Sequence, residues 1–167
     1  ERLGLPDGDY YSRLAQESFA ELKSVLTDIN NIFTVRTSVA FIEWLSTRVG
    51  LDEATRVGIV SEVLSTKPNA NGYDIEISGP IEVVVEVKCN VPINRGTVYG
   101  AAQRDGLAQN VASLIHGKSK STIDPKTCLK FMDLLDKPEI RQATRHFVKN
   151  MKEHRDRIVF VEPGVSV

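Results

Sequence analysis

Cysteines, long apolar runs and an excess of charge of one sign are all scarce or missing in this sequence. Its two cysteines, Cys89 and Cys128, do not form the closely spaced pairs of a zinc site. So few cysteines are typical of a protein from a reducing compartment. No apolar run approaches the roughly 18 residues of a membrane span, and no signal peptide heads the chain. The sequence therefore predicts a cytoplasmic protein without a membrane partner.

The balance of charge limits the kind of partner that the whole surface can attract. The 21 basic and 22 acidic residues leave a net charge of −1. A protein that binds DNA without sequence preference is usually clearly basic. A nucleic-acid partner would therefore require the positive charge to be gathered on one face.

The length of 167 residues suits one domain with a sizeable core better than two domains. Hydrophobic residues make up 41% of the chain and charged residues 26%, which is ordinary for a globular protein. The first residue is Glu1 rather than a methionine, so we expect the chain to be a piece of a longer protein.

Two helices are predicted before residue 50. Apolar residues at helical spacing predict a helix over residues 9–29, which Asn30-Asn31 is expected to break. A second helix is expected to begin at Thr37 or Ser38. It is apolar around most of its circumference, and Glu43 lies on its narrow polar stripe. Because a buried carboxylate is costly unless it is paired or metal-bound, Glu43 is either a functional acid or a residue at a solvated rim.

The next segment is open to two interpretations. Residues Gly58 to Thr66 are rich in β-branched side chains and predict the first strand, with Glu62 within it. The alternative is one continuous helix from Asp52 to Ser65, against which Gly58 argues mildly.

The stretch from Gly72 to Asn90 predicts two short strands joined by a tight turn at Ser78-Gly79-Pro80. Alternate side chains of a strand share a face, so Glu86 and Lys88 lie on the polar side of the second strand. Pairing of the two strands would bring Asp74 beside Glu86.

Two carboxylates and an amine on one patch have a chemical use. Carboxylate oxygens suit Mg²⁺, and a lysine nearby can orient a metal-bound water or balance charge on a phosphate. The plain alternative is an amphipathic strand with one face in solvent, on which Glu86 and Lys88 form a weak surface pair.

Three helices and a strand are predicted after the motif. The helices cover residues 97–116, a segment that opens with Asp124-Pro125, and residues 138 to about 155; the strand covers residues 157–162. The last helix carries four basic residues at intervals of four, four and three, namely Arg141, Arg145, Lys149 and Lys152. Such a stripe is either a solvated helix face or a set of phosphate contacts.

The motif and the order of elements resemble the PD-(D/E)XK nuclease superfamily, which includes many type II restriction endonucleases and archaeal Holliday-junction resolvases. The residues that carry the resemblance are Asp74, then eleven residues, then Glu86-Val87-Lys88; Tyr73 stands where the family has proline. The resemblance implies a mixed α/β (α+β) fold with a restriction endonuclease-like core, in which helices flank a central mixed sheet of about four strands. It implies a single domain over residues 1–167, with an N-terminal helix (about 9–29) and a helical elaboration (about 124–155).

The same resemblance implies an activity. It is a Mg²⁺-dependent DNA endonuclease that hydrolyses phosphodiester bonds, with Mn²⁺ able to substitute. Asp74 and Glu86 would hold the metal and Lys88 would be the catalytic lysine. Glu43 corresponds to the acid of the first helix, with Glu62 as the other candidate for a third acid. Gln103 would lie on the substrate side, DNA would be the partner, and a homodimer or further domains are expected.

Two other interpretations keep the fold without the activity. The chain would then be a non-catalytic nucleic-acid-binding or regulatory module, or an α+β scaffold domain that associates through its N-terminal helix. A structure separates these interpretations in part, because catalysis requires the motif residues to converge.

Overall fold

The computed structural model describes residues 16–66, 72–79, 81–92, 97–151 and 155–163. Within these ranges the helices are α1 (Gln16–Val49), α2 (Glu53–Ser65), α3 (Ala101–His116) and α4 (Pro138–Asn150). The strands are β1 (Ile75–Ile77), β2 (Val83–Lys88), β3 (Leu129–Leu134) and β4 (Val159–Val161), and a short 3₁₀ turn covers Arg155–Arg157. The prediction of a mixed α/β fold is confirmed.

The four strands form one mixed sheet in the order β1-β2-β3-β4. Strand β1 is antiparallel to β2, whereas β3 and β4 run parallel to β2. Parallel neighbours need crossover connections, which α3 and α4 supply. The predicted sheet of about four strands flanked by helices is therefore present.

The two faces of the sheet are covered by different helices. Phe131 of β3 is in register with Val85 of β2, so the two side chains share a face. The ring of Phe41 on α1 lies 5.2 Å from that of Phe131, which places α1 on this face. Asn110 of α3 hydrogen-bonds to Glu86, whose side chain points the opposite way, so α3 covers the other face.

Helix α4 lies on the same side of the sheet as α3. Right-handed crossovers from β2 to β3 and from β3 to β4 place both connecting helices on one face. A hydrogen bond of 3.0 Å between the hydroxyls of Tyr99, just before α3, and Thr144 of α4 agrees with this placement.

The chain divides into two units, residues 1–32 and residues 33–167. The described part of the first unit is the beginning of α1, which exposes a series of large apolar side chains: Phe19, Leu22, Val25, Leu26, Ile29 and Ile32. The second unit contains the sheet, the remaining helices and all the candidate site residues. No helix in the described ranges has the length and the apolar character needed to cross a membrane.

The predicted helix break at Asn30-Asn31 is wrong, because α1 continues without interruption to Val49. Asparagine costs a helix only about 0.7 kcal/mol relative to alanine, so two of them weaken a helix without ending it. Residues 9–15 of the predicted first helix lie outside the described residues.

The predicted strand from Gly58 to Thr66 is also wrong, and the alternative helix is confirmed as α2. Asp52 caps this helix by accepting a 2.9 Å hydrogen bond from the backbone N–H of Thr55. A single glycine inside a helix costs about 1 kcal/mol, which the cap at Asp52 helps to offset.

The predicted helix after Asp124-Pro125 is a turn followed by β3, so the helical elaboration reduces to α4. Five of the six residues of strand β3 are buried, so both faces of the strand are covered. A strand of this kind shows no alternation between polar and apolar residues, so its sequence is easily taken for a buried helix. The helix before it, α4 and the last strand are confirmed, although α4 ends at Asn150.

Candidate functional site

The site begins where the β1–β2 hairpin places Asp74 against β2. The backbone N–H of Asp74 donates to the carbonyl of Val85 at 3.1 Å. Its carboxylate oxygen Oδ2 accepts a 2.7 Å hydrogen bond from the backbone N–H of Val87. Because the register pairs Ile75 with Val85, Asp74 lies next to Glu86 on the neighbouring strand. Asp74 is exposed to solvent, so one side of its carboxylate is open to a ligand.

Glu86 is almost completely buried, with 3% of its surface exposed. Its oxygen Oε2 accepts a 2.6 Å hydrogen bond from the side-chain amide of Asn110 on α3. Its oxygen Oε1 forms an ion pair with the Nζ of Lys118. Burial raises the pKa of Glu86, the contact with Lys118 lowers it, and the negative charge of Asp74 raises it. The carboxylates of Asp74 and Glu86 are thus close enough to interact electrostatically.

Lys88 lies two residues beyond Glu86 on the same face of β2 and is partly buried. Its positive charge lowers the pKa of Glu86. Lys88 lines a cavity of about 70 Å³ together with Asn90, Tyr99 and Gln103. A carboxylate pair and an ammonium group therefore share one end of the hairpin.

The two candidates for a third acid lie in different places. Glu43 forms an ion pair with Arg56 of α2 and lines a groove between helices α1 and α2. Glu62 lines a cavity of about 260 Å³ together with Asp74. No contact of Glu43 with Asp74 or Glu86 is present among the described residues, whereas Glu62 shares a cavity wall with Asp74.

Gln103 has a structural task at the start of α3. Its Oε1 accepts a hydrogen bond from the backbone N–H of Gly100 at 3.1 Å, which caps the helix. Its Nε2 donates to the carbonyl of Val91 at 2.8 Å. Both ends of the amide are used within the protein, and each end keeps the capacity for one more hydrogen bond.

The predicted basic stripe is only partly available for binding. Arg141 is held by two carboxylates, Asp136 at 2.7 Å and Glu162 at 3.3 Å. Arg145 and Lys149 are exposed on α4. Lys152 lies outside the described residues.

Two buried or half-buried groups near the motif were not predicted as site residues. Asp133 of β3 is fully buried, and neither of its carboxylate oxygens accepts a hydrogen bond of regular geometry from the described part of the chain. Burial raises the pKa of Asp133 to about 8, and the negative charge of Asp74 adds to the increase. The backbone N–H of Leu134 lowers this pKa. Lys118, in the connection between α3 and β3, is the partner of Glu86.

The donor set fits a hard divalent cation. Magnesium is commonly bound through one or two carboxylates, with waters and substrate phosphates as the other ligands. Asp74 and Glu86 supply such a pair, and Oε1 of Glu86 has only the ammonium of Lys118 against it within the described ranges. Over the residues that the structure covers, no group of three or more His, Cys, Asp or Glu side chains is arranged to hold a metal.

The fold and the site define a mixed α/β protein with a carboxylate pair and a lysine at one end of a β-hairpin. No family model matches the chain, and neither a curated protein nor a solved structure is similar to it. The assignment of a function therefore depends on the residues of this chain alone.

Proposed function

We propose that the protein is a Mg²⁺-dependent DNA endonuclease of the PD-(D/E)XK type. The observation that carries this proposal is the grouping of Asp74, Glu86 and Lys88 at one end of the β1–β2 hairpin. Both Asp74 and Lys88 act electrostatically on Glu86. A strand pair that only presented a solvated face would not bury Glu86 to 3% exposure.

The connectivity supports a restriction endonuclease-like core. Helix α1 precedes the hairpin that carries the motif, and α3 then leads to β3, which lies parallel to the motif strand. One departure concerns the strands before the motif. The segment from Gly58 to Thr66, which was predicted as a strand before the hairpin, is part of helix α2.

In this proposal the chain holds the cation through the carboxylate oxygens of Asp74 and Glu86. When bound, Mg²⁺ polarises a phosphate and lowers the pKa of a water molecule that it binds. Asn110 donates a hydrogen bond to Oε2 of Glu86 and so orients the carboxylate, whose Oε1 would bind the cation in place of Lys118. Lys88 presents a protonated amine that stabilises the negative charge developing on the phosphate.

Other residues would supply a third acid and the contacts with DNA. Glu62 is the better candidate for a third acid, because it lines a cavity with Asp74. Glu43 is instead engaged by Arg56. Arg145 and Lys149 are exposed and would contact DNA phosphates, whereas Arg141 is engaged by Asp136 and Glu162. Mn²⁺ is expected to replace Mg²⁺, since it also prefers oxygen ligands.

The test is the nicking of supercoiled plasmid in the presence of Mg²⁺ or Mn²⁺. We expect Asp74→Asn and Lys88→Ala each to abolish nicking while the thermal unfolding temperature stays close to that of the wild type. Both side chains reach solvent or a cavity, so neither replacement empties the core.

Asp105→Asn is the matched control, because it removes the same charge at an exposed position on α3, outside the hairpin sequence. Nicking by Asp74→Asn at the wild-type rate would contradict the proposal. Binding of DNA by the wild type without any metal-dependent cleavage would favour the non-catalytic module instead.

A further inference from the structure

Lys118 places a positive charge directly on the buried carboxylate of Glu86. Its Nζ pairs with Oε1 of Glu86 and donates a hydrogen bond to the backbone carbonyl of Gly72. It also lies 5.1 Å from the centre of the Tyr73 ring, at a distance suited to a cation–π contact. The ammonium group of Lys118 is therefore held by a carboxylate oxygen, a carbonyl oxygen and the ring of Tyr73.

The backbone delivers Lys118 to this position just after α3 ends. Gly117 has φ +90°, a conformation that L side chains rarely adopt. A Cβ added to Gly117 would lie 3.1 Å from Cγ of Pro125, so a larger residue would also require Pro125 to shift. These two constraints direct the chain back toward the hairpin immediately before Lys118.

The side chain of Lys118 is free to leave without damage to the sheet. Lys118 lies in the connection between α3 and β3, outside every helix and strand. Its side chain is 27% exposed, so the ammonium group has a route to solvent. Departure would break side-chain interactions only and would leave the hydrogen bonds between the strands intact.

A divalent cation on Glu86 would meet the charge of Lys118. Oε1 already pairs with Lys118 and Oε2 accepts from Asn110, so each carboxylate oxygen has a partner. Two positive charges within a few ångströms of each other repel, most strongly where water is partly excluded.

We propose that Lys118 is a resident counter-ion of Glu86, which a divalent cation must displace in order to bind. This inference rests on the proposed function, because it assumes that Asp74 and Glu86 hold the cation. Lys118 is a positioning residue here: it keeps Glu86 partnered in the metal-free protein and lowers the affinity for the cation.

The first test uses the wild-type protein and an amine-acetylating reagent, with labelling of each lysine measured by mass spectrometry. Mn²⁺ is the probe, and its binding is followed by the electron paramagnetic resonance signal of free Mn²⁺. We expect labelling of Lys118 to rise several-fold at saturating Mn²⁺, because the displaced ammonium enters solvent. Labelling of Lys120, an exposed lysine in the same connection, should stay unchanged. Unchanged or slower labelling of Lys118 at saturation would overturn the inference.

The second test compares Lys118→Met with Lys120→Met, which removes the same charge two residues away. At pH 8.5, where protons compete least for Glu86, we expect Lys118→Met to bind Mn²⁺ at least tenfold more tightly. We expect Lys120→Met to bind Mn²⁺ nearly as the wild type does. Unchanged or weaker binding by folded Lys118→Met would overturn the inference, and if this variant does not fold, the labelling experiment decides.

Two further variants separate this inference from the proposed function. Asp74→Asn and Glu86→Gln should both lose Mn²⁺ binding if the carboxylate pair holds the cation. If they bind Mn²⁺ as the wild type does, the metal site of the proposed function is wrong. If they lose binding while Lys118→Met shows no gain, the carboxylate pair stands and only the displacement of Lys118 is wrong.

Discussion

Two carboxylates are buried in adjacent strands of the same sheet, and they differ in their partners. Glu86 of β2 is surrounded by an amide and an ammonium group, from Asn110 and Lys118. Asp133 of β3 has no hydrogen-bond partner of regular geometry in the described ranges. The two side chains point to opposite faces, because Asp133 is in register with Val87. Glu86 thus faces α3, and Asp133 faces α1.

The difference teaches which of the two acids can serve as a ligand. Burial raises the pKa of both groups, but Lys118 and Lys88 act against this increase at Glu86. At Asp133 no cation from the described part of the chain opposes it, and a pKa of about 8 keeps this group protonated at neutral pH. A protonated carboxyl group is a poor ligand for a metal, because a ligand must first lose its proton.

The largest expected effect is on catalysis. Glu86→Gln should reduce plasmid nicking by about 100-fold or more, because it removes the charge of a metal ligand. Asp133→Asn should nick DNA close to the wild-type rate, since an amide has the shape of the protonated acid that it replaces. Initial rates at saturating Mg²⁺ measure both effects. Equal losses in the two variants would mean that Asp133 belongs to the reacting site.

The next effect is on stability, and it concerns the proton on Asp133. The unfolded chain releases this proton near the ordinary pKa of 3.8, whereas the native protein keeps it up to a pKa of about 8. Between these values the unfolded state binds fewer protons, so the free energy of unfolding falls as the pH rises. From pH 4 to pH 7 this group should remove on the order of 4 kcal/mol of stability, an upper bound.

Guanidinium unfolding of the wild type and Asp133→Asn at pH 5, 6 and 7 measures this contribution. The variant should lose much less stability over this range than the wild type, because its amide does not titrate. The exposed control Asp105→Asn should follow the wild-type pH dependence. If the free energy of unfolding of Asp133→Asn falls with pH as steeply as that of the wild type, Asp133 does not hold a proton at neutral pH.

A smaller effect should come from the amide partner of Glu86. Hydrogen bonds to charged groups contribute about 1.5–3 kcal/mol, so Asn110→Ala should reduce the free energy of unfolding by about 2 kcal/mol. Gln109→Ala, at an exposed position next to it on α3, should change stability by less than about 0.5 kcal/mol. Urea unfolding at pH 7 measures both variants. A decrease no larger than that of the control would show that Glu86 does not depend on Asn110.

The placement of Asp74 beside Glu86 could be predicted from the sequence, because both lie in one local hairpin with a clear turn. The partners of Glu86 could not. Asn110 lies 24 residues further along the chain, and its contact depends on how α3 packs across the sheet. The position of Lys118 depends on the end of α3 and on the conformation of Gly117. No local pattern of residues encodes such contacts.

Asp133 was missed for a related reason. Strand β3 is buried on both faces, so its sequence has no period of two and its single acid gives no sign of the face on which it lies. The spacing of its apolar residues predicted a helix instead. Where a proline marked the start of an element, as Pro138 does for α4, the sequence predicted the element correctly.

The smallest expected effect concerns α4, where a basic residue held in ion pairs lies beside basic residues that are exposed to solvent. Arg141 is held by Asp136 and Glu162, whereas Arg145 and Lys149 are exposed. The slope of log affinity against log salt is negative, and removing one phosphate-binding cation makes it shallower by about 0.9 for duplex DNA. Replacing Arg145 and Lys149 together by alanine should therefore make the slope shallower by about 1.8 and weaken all DNA sequences alike. Arg141→Ala should leave the slope nearly unchanged, because its charge is already neutralised within the protein.

Fluorescence anisotropy titrations with labelled duplexes between about 50 and 200 mM salt measure these slopes. A slope that becomes shallower for Arg141→Ala and stays the same for the double variant would place the DNA on the side of Asp136 and Glu162 instead.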